Sequence, residues 1–241
     1  MSLPLRTQLN EDIALSSDLR VSPDLVIDLI GPLLTPERRM KIDRVVSGRT
    51  ANVAVVLDGL YDKGNISAVM RTAEAFGFVN FHVIETQEKF KEANRVAQGA
   101  DKWIEVQKWK KPSDCISAIK SQGFQLVVTS LDASRPLNEI DFSRPTAFVL
   151  GNEKSGVSSE MLAAADERVI IPMSGFVQSF NISVAGALGL YHIHLAREKT
   201  FGNSGDLSPT ERNNLIAQYY LRTQDSAADI LSEWISRKSK A

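Results

Sequence analysis

The chain has 241 residues, is 43% hydrophobic, and sets 28 Lys and Arg against 29 Asp and Glu for a formal net charge of −1. That balance excludes a disordered chain and a globally basic one, is enough for one substantial core, and leaves any attraction for nucleic acid to local clusters. No apolar run approaches the ~20 residues that cross a bilayer, and the first residues, with Pro4, Arg6, Glu11 and Asp12, lack the apolar stretch of a signal peptide, so a cytoplasmic protein is expected.

Residues 1–35 read as an acidic, proline-punctuated extension with one helix over Leu25–Leu34, bounded by Pro23 and Pro36. A basic cluster follows, with Arg38, Arg39, Lys41, Arg44 and Arg49 against Glu37 and Asp43. It would serve either to hold phosphates or as a solvated helix face. Val53–Leu57 predicts a strand, Gly59 and Gly64 a polar loop, and Asn65 the cap of a helix whose apolar stripe is Ile66, Val69, Met70 and Ala73. Arg71 points away from that stripe. His82 falls in a predicted strand, and Lys63, Lys89, Lys91, Arg95 and Lys102 add cations. Cys115, the only cysteine, lies among Ile116, Ala118 and Ile119 in a predicted helix; it excludes an intrachain disulfide and a cysteine metal cluster.

Gly123–Asp132 predicts a core strand and polar loop, Ser134–Pro145 a connection, and Ala147–Leu150 the next strand. A loop with Gly151, Asn152, Glu153, Lys154 and Gly156 then enters a helix capped by Ser158 or Ser159. The third such unit starts with the strand Val169–Ile171, stopped by Pro172, whose missing N–H cannot extend a central ladder. Ser174, Gly175, Gln178, Ser179 and Asn181 follow as loop hydrogen-bonding groups, and a helix begins at Asn181 or Ser183. Its Ser183, Ala185, Gly186, Ala187 and Gly189 permit close approach, either to its own sheet or to a second copy. His192 and His194, two apart on a helix and without a nearby Asp or Cys, argue against a metal site or a serine triad. After Gly202–Gly205, Pro209–Tyr220 and Ala227–Arg237 predict two amphipathic helices.

Three strand–loop–helix units put three polar loops at strand C-termini, where ligands bind in open α/β sheets. Neither a GxGxxG nor a P-loop is present, which discounts a dinucleotide or nucleotide enzyme. From about Pro36 to Glu198, the trio resembles the signature motifs of SPOUT methyltransferases of the TrmH (SpoU) branch. The matching residues are Asn65-Ile-Ser-Ala with Arg71-Thr72, Gly151-Asn-Glu153-Lys-Ser-Gly156, and Ile171-Pro-Met with Gln178-Ser179-Phe-Asn181.

The resemblance implies an α/β parallel-sheet SPOUT fold with a C-terminal deep trefoil knot, flanked by helical extensions. The expected organisation is an N-terminal extension over 1–35, the methyltransferase domain over 36–200 and a C-terminal helical extension over 201–241. It implies a homodimer that transfers a methyl group from S-adenosylmethionine to an RNA ribose 2′-hydroxyl, with guanosine 18 of the tRNA D-loop as leading substrate. Ribosomal RNA methylation, or RNA binding without catalysis on the same scaffold, are the alternatives. Asp62-Lys63-Gly64 departs from the usual Lys-Pro-His before the motif's asparagine, and both extensions are less basic than the family leads one to expect.

Carried over position by position, the catalytic group is Arg71, Asn65, Glu153, Ser179 and Asn181. Arg71 would assist deprotonation of the hydroxyl or stabilise the developing alkoxide; a guanidinium, which holds its proton tightly, is a poor base. Asn65, Ser179 and Asn181 could equally be helix caps. Thr129, Leu131, Gly151, Ile171, Met173, Ser179 and Phe180 are the expected cofactor contacts, largely through loop backbone. Arg38, Arg39, Lys41, Arg44, Lys63 and Lys102 are the expected RNA contacts.

Overall fold

The computed structural model describes residues 8–59, 62–85, 99–133, 135–152, 154–203 and 205–238. The chain divides into two units, one built from the segments up to Arg49 and from Gly205 onward, the other running from Thr50 to Ser204. Residues 36–49, counted above with the methyltransferase domain, group in the same compact unit as the terminal segments.

The first unit opens with two short strands absent from the sequence reading, β1 (Ile13–Ala14) and β2 (Arg20–Val21), paired antiparallel. Proline at the first turn and a hydroxyl cap start both following helices, Ser22 for α1 (Pro23–Ile30) and Thr35 for α2 (Pro36–Ser47). Between them, Gly31–Leu33 tightens into a 3-10 turn.

The second unit is a parallel sheet. Its strands are β3 (Thr50–Asp58), β4 (Phe78–Ile84), β5 (Glu105–Trp109), β6 (Gln125–Thr129), β7 (Arg135–Pro136), β8 (Thr146–Gly151) and β9 (Glu167–Ile170). Their order is β5-β4-β3-β8-β6-β9-β7, and every pairing is parallel. The central strands are covered on both faces, which explains their continuous apolar runs. On one side α3 (Lys63–Ala75) and α6 (Ile182–Phe201) bring Ile66, Val69, Met70, Leu190 and Ile193 onto Val53, Val55, Leu57, Phe148 and Leu150. On the other, α4 (Pro112–Lys120) and α5 (Ser159–Ala164) bring Cys115, Ile119 and Met161 onto Ala54, Val56 and Val149. Because the strands are parallel, β3, β6, β8 and β9 end at one edge, with Asp58 opposite Gly151 and Thr129 opposite Val169.

Two details differ from the sequence reading, and a third falls on one of the two alternatives it left open. The Ser134–Pro145 connection contains β7, a two-residue edge strand against β9, where Pro136 costs little because an edge N–H has no further partner. The cap of α3 is Asp62, whose carboxylate accepts the Asn65 N–H at 2.7 Å; Asn65 lies inside the helix. Gly186 and Gly189 pack within their own unit, since a Cβ at Gly186 would sit 3.0 Å from Val69 of α3 and 3.2 Å from Leu150 of β8, and one at Gly189 would sit 2.5 Å from Phe148 of β8.

The chain leaves α6 through Gly202 in the left-handed region and returns to the first unit. There α7 (Pro209–Thr223) starts in a Ser208–Glu211 capping box and α8 (Ala227–Lys238) follows. Helix α7 packs on α1 and α2, with Arg212 bound to Asp43 at 3.1 Å.

Candidate functional site

A pocket of about 420 Å³ lies beyond the C-terminal ends of β6, β8 and β9. Four loop segments line it: Thr129–Asp132 after β6, Gly151–Val157 after β8 apart from residue 153, Ile171 and Met173 after β9, and Ser179–Phe180 before α6. All seven residues expected to contact a cofactor are in this lining. Leu150, Leu162, Val169, Ile182 and Ala185 give it apolar walls. Its size and its mixture of apolar walls and loop amides suit a nucleoside-sized ligand.

The loop after β8 is held tightly. Asn152 and Gly156 exchange two backbone hydrogen bonds of 2.8 Å, and the Asn152 side chain accepts from the Lys154 and Ser155 N–H groups. The same side chain donates to the Gly59 carbonyl after β3 at 2.8 Å. Gly151 is required by this fold-back, because a Cβ there would stand 2.3 Å from the backbone of Gly156 and of Val157.

The loop after β9 is built differently. None of residues 172–180 hydrogen-bonds to a described residue, and Phe176 and Val177 project into solvent. Hydrogen bonding resumes at Asn181, which caps α6 by accepting from the Ser183 N–H at 2.9 Å. Its amide also reaches Asn65 on α3, Nδ2 to Oδ1 3.4 Å, joining the first and third motifs.

Of the expected catalytic group, Asn65 and Asn181 thus meet, and Ser179 is on the pocket wall. Arg71 is exposed on α3, six residues beyond Asn65, which places it about 9 Å along the helix axis and on a different face. Glu153 lies outside the described residues. The expected RNA contacts fall in both units. Arg39, Lys41 and Arg44 are exposed on α2 and Arg38 half-buried there; Lys63 is exposed at the start of α3, and Lys102 lies over the Trp103 ring at 5.5 Å. Lys89, Lys91 and Arg95 lie outside the described residues.

The histidines are spent on structure. His82 is buried, accepts from the Trp109 indole at 3.1 Å, and is pushed down to about 4 by burial, so it stays neutral near pH 7. His194 stacks on Phe76 with ring centroids 5.0 Å apart. Sequence reasoning passed over Asp58, buried at the end of β3, because a single acid closing an apolar strand carries no pattern. It also passed over an outward stripe on α6 of Val184, Leu188, Tyr191 and Leu195. This helix is apolar on both faces, which hides the periodicity.

A family model described as the SpoU rRNA Methylase family matches residues 52–191. The chain is 36% identical over 195 residues to a tRNA (guanosine(18)-2′-O)-methyltransferase of Borreliella burgdorferi, a match covering 80% of this chain and 89% of that protein. The crystal structure of the A. aeolicus TrmH/SpoU tRNA modifying enzyme superposes with a TM-score of 0.71 at 31% identity, over 76% of this chain and 95% of that one. The AdoMet-bound rRNA methyltransferase from Sinorhizobium meliloti gives a TM-score of 0.57 at 27% identity, over 66% and 60%.

Proposed function

Since the chain belongs to the SpoU rRNA Methylase family, we propose that it is a tRNA ribose 2′-O-methyltransferase that uses S-adenosylmethionine and acts on guanosine 18. The observation that carries this reading is the convergence of the second and third motif loops on one pocket, with Asn181 of the third motif in contact with Asn65 of the first. The backbone of Thr129–Leu131, Gly151 and Ile171–Met173 would hold the adenosine, between walls formed by Leu150, Ile182 and Ala185. When bound, the cofactor supplies an electrophilic methyl on a sulfonium.

What remains for the protein is to place a ribose hydroxyl in line and to ease loss of a weakly acidic proton. Asn181 and Asn65 present amide groups suited to a ribose edge, and Ser179 adds a hydroxyl beside them. Arg71, exposed and permanently cationic, grips phosphate and stabilises the developing alkoxide, while the proton leaves to phosphate or water. Glu153 belongs to the same motif set. Arg39, Lys41 and Arg44 of the first unit, with Lys63 and Lys102 of the second, supply phosphate contacts.

A C-terminal trefoil knot around the loop after β9 and a homodimer through α6 belong to the same proposal. Val184, Leu188, Tyr191 and Leu195 recur at helical spacing and are each between 43% and 51% exposed, an apolar stripe that a second copy would cover. A tRNA substrate fits a protein of the cytoplasm.

Incubation with labelled S-adenosylmethionine and unmodified tRNA or ribosomal RNA, followed by mass-spectrometric mapping of methylated riboses, tests the function. Label at guanosine 18 is expected; transfer to ribosomal RNA alone would reassign the substrate, and no transfer to either would sink the enzyme reading. Arg71→Ala and Arg71→Lys should both lose transfer by on the order of 100-fold or more while still binding cofactor.

A further inference from the structure

Asp58 closes β3 at 2% exposure, yet no apolar logic puts a carboxylate there. One oxygen, Oδ2, accepts the backbone N–H of Ser158 at 2.7 Å. The other, Oδ1, is buried without a hydrogen-bond partner among the described residues. A buried carboxylate half satisfied is costly to the fold, and such a group calls for a compensating role. Its one bond reaches 100 residues along the chain, to the point where the loop after β8 turns into α5.

That loop has two tethers to the end of β3. Asn152 Nδ2 to the Gly59 carbonyl holds its start, and Asp58 Oδ2 to the Ser158 N–H holds its finish. Between them lie Lys154, Ser155, Gly156 and Val157, which line the pocket. Strand pairing fixes Asp58 beside Gly151, so both ends of the loop are referenced to the same residue pair. At 2.7 Å this bond anchors a segment whose own helix is only six residues long.

We infer that Asp58 is a positioning residue for cofactor binding: its carboxylate fixes the β8 wall of the pocket through Ser158 and touches neither substrate nor cofactor. The inference deepens the proposed function and rests on it. Removal of the tether should raise the dissociation constant for cofactor and leave turnover at saturating cofactor, and the KM for tRNA, close to their original values.

The test measures S-adenosylhomocysteine binding by calorimetry and methyl transfer to tRNA across a range of S-adenosylmethionine concentrations. Thermal melts are run alongside. Asp58→Ala is expected to weaken binding by about tenfold or more, and Asp58→Asn, which keeps an acceptor, to recover most of it. Ser158→Pro removes the donor at a backbone φ of −60°, which proline adopts, and is read against Ser158→Ala, which keeps the N–H. Asp58→Ala combined with Ser158→Pro should be no worse than the stronger single change, because both cut one bond.

Equal affinity in Asp58→Ala and wild type, or additive effects in the pair, would overturn the inference. So would a fall in turnover or tRNA affinity that matches the loss of cofactor affinity, since that marks a general structural role. Failure of the wild type to bind S-adenosylhomocysteine would overturn the proposed function itself.

Discussion

The two loops that face each other across the pocket are made on opposite plans. The one after β8 is short, folded back on itself, and tied to the end of β3 by Asn152 and Asp58. The one after β9 is longer, has no hydrogen bond to a described residue over 172–180, and exposes Phe176 and Val177. A binding site with one fixed wall and one loose wall separates two tasks. In the proposed function the tethered wall would set where the ligand lies, and the untethered wall would adjust to what binds.

Four measurements bear on that contrast, beginning with the largest effect. Gly151→Ala drives a methyl into backbone at 2.3 Å, where nothing flexible can yield. It should cost roughly 3 kcal/mol or more in a denaturant melt and abolish measurable S-adenosylhomocysteine binding. Asn152→Ala removes the fold-back acceptor and the Gly59 tether together, and should lower stability by about 1–3 kcal/mol with a comparable loss of affinity by calorimetry.

Hydrogen exchange supplies the third. Addition of S-adenosylhomocysteine should slow amide exchange in 172–180 and change it little in 151–158; slowing confined to the β8 loop would reverse the assignment. The smallest effect belongs to Gly175→Ala. A Cβ there meets nothing within 4 Å, so affinity and stability should stay within about twofold and ~0.5 kcal/mol of the parent.

The contrast also marks where sequence reasoning reached and where it stopped. Strands β3, β6 and β8 were legible because a parallel sheet covered on both faces leaves apolar runs bounded by polar, Gly- or Pro-containing loops, whereas β9 begins at Glu167 and Arg168, two residues before the Val169–Ile171 run read from the sequence. Their loops were legible for the same reason, and the seven residues named for the cofactor all line one pocket. What escaped depends on facing partners that no local pattern reveals. Asp62 rather than Asn65 caps α3, since an acid and an amide three residues apart are equally good caps on paper. The small residues of α6 read either as packing on their own sheet or as a contact between copies; Gly186 and Gly189 admit Val69 and Phe148 of the same unit, and the outward stripe is made of larger side chains. Asp58 was invisible because its meaning is a hydrogen bond to a residue 100 positions away.

The strand β7 has a consequence of another kind. On that side the sheet ends in two residues, one of them a proline, with Arg135 paired to Glu167 at 2.6 Å beside it. An extended segment from another chain would find almost no ladder to join there. A rim this short and this charged is expected to offer a neighbouring copy too little ladder for the sheet to propagate along that edge.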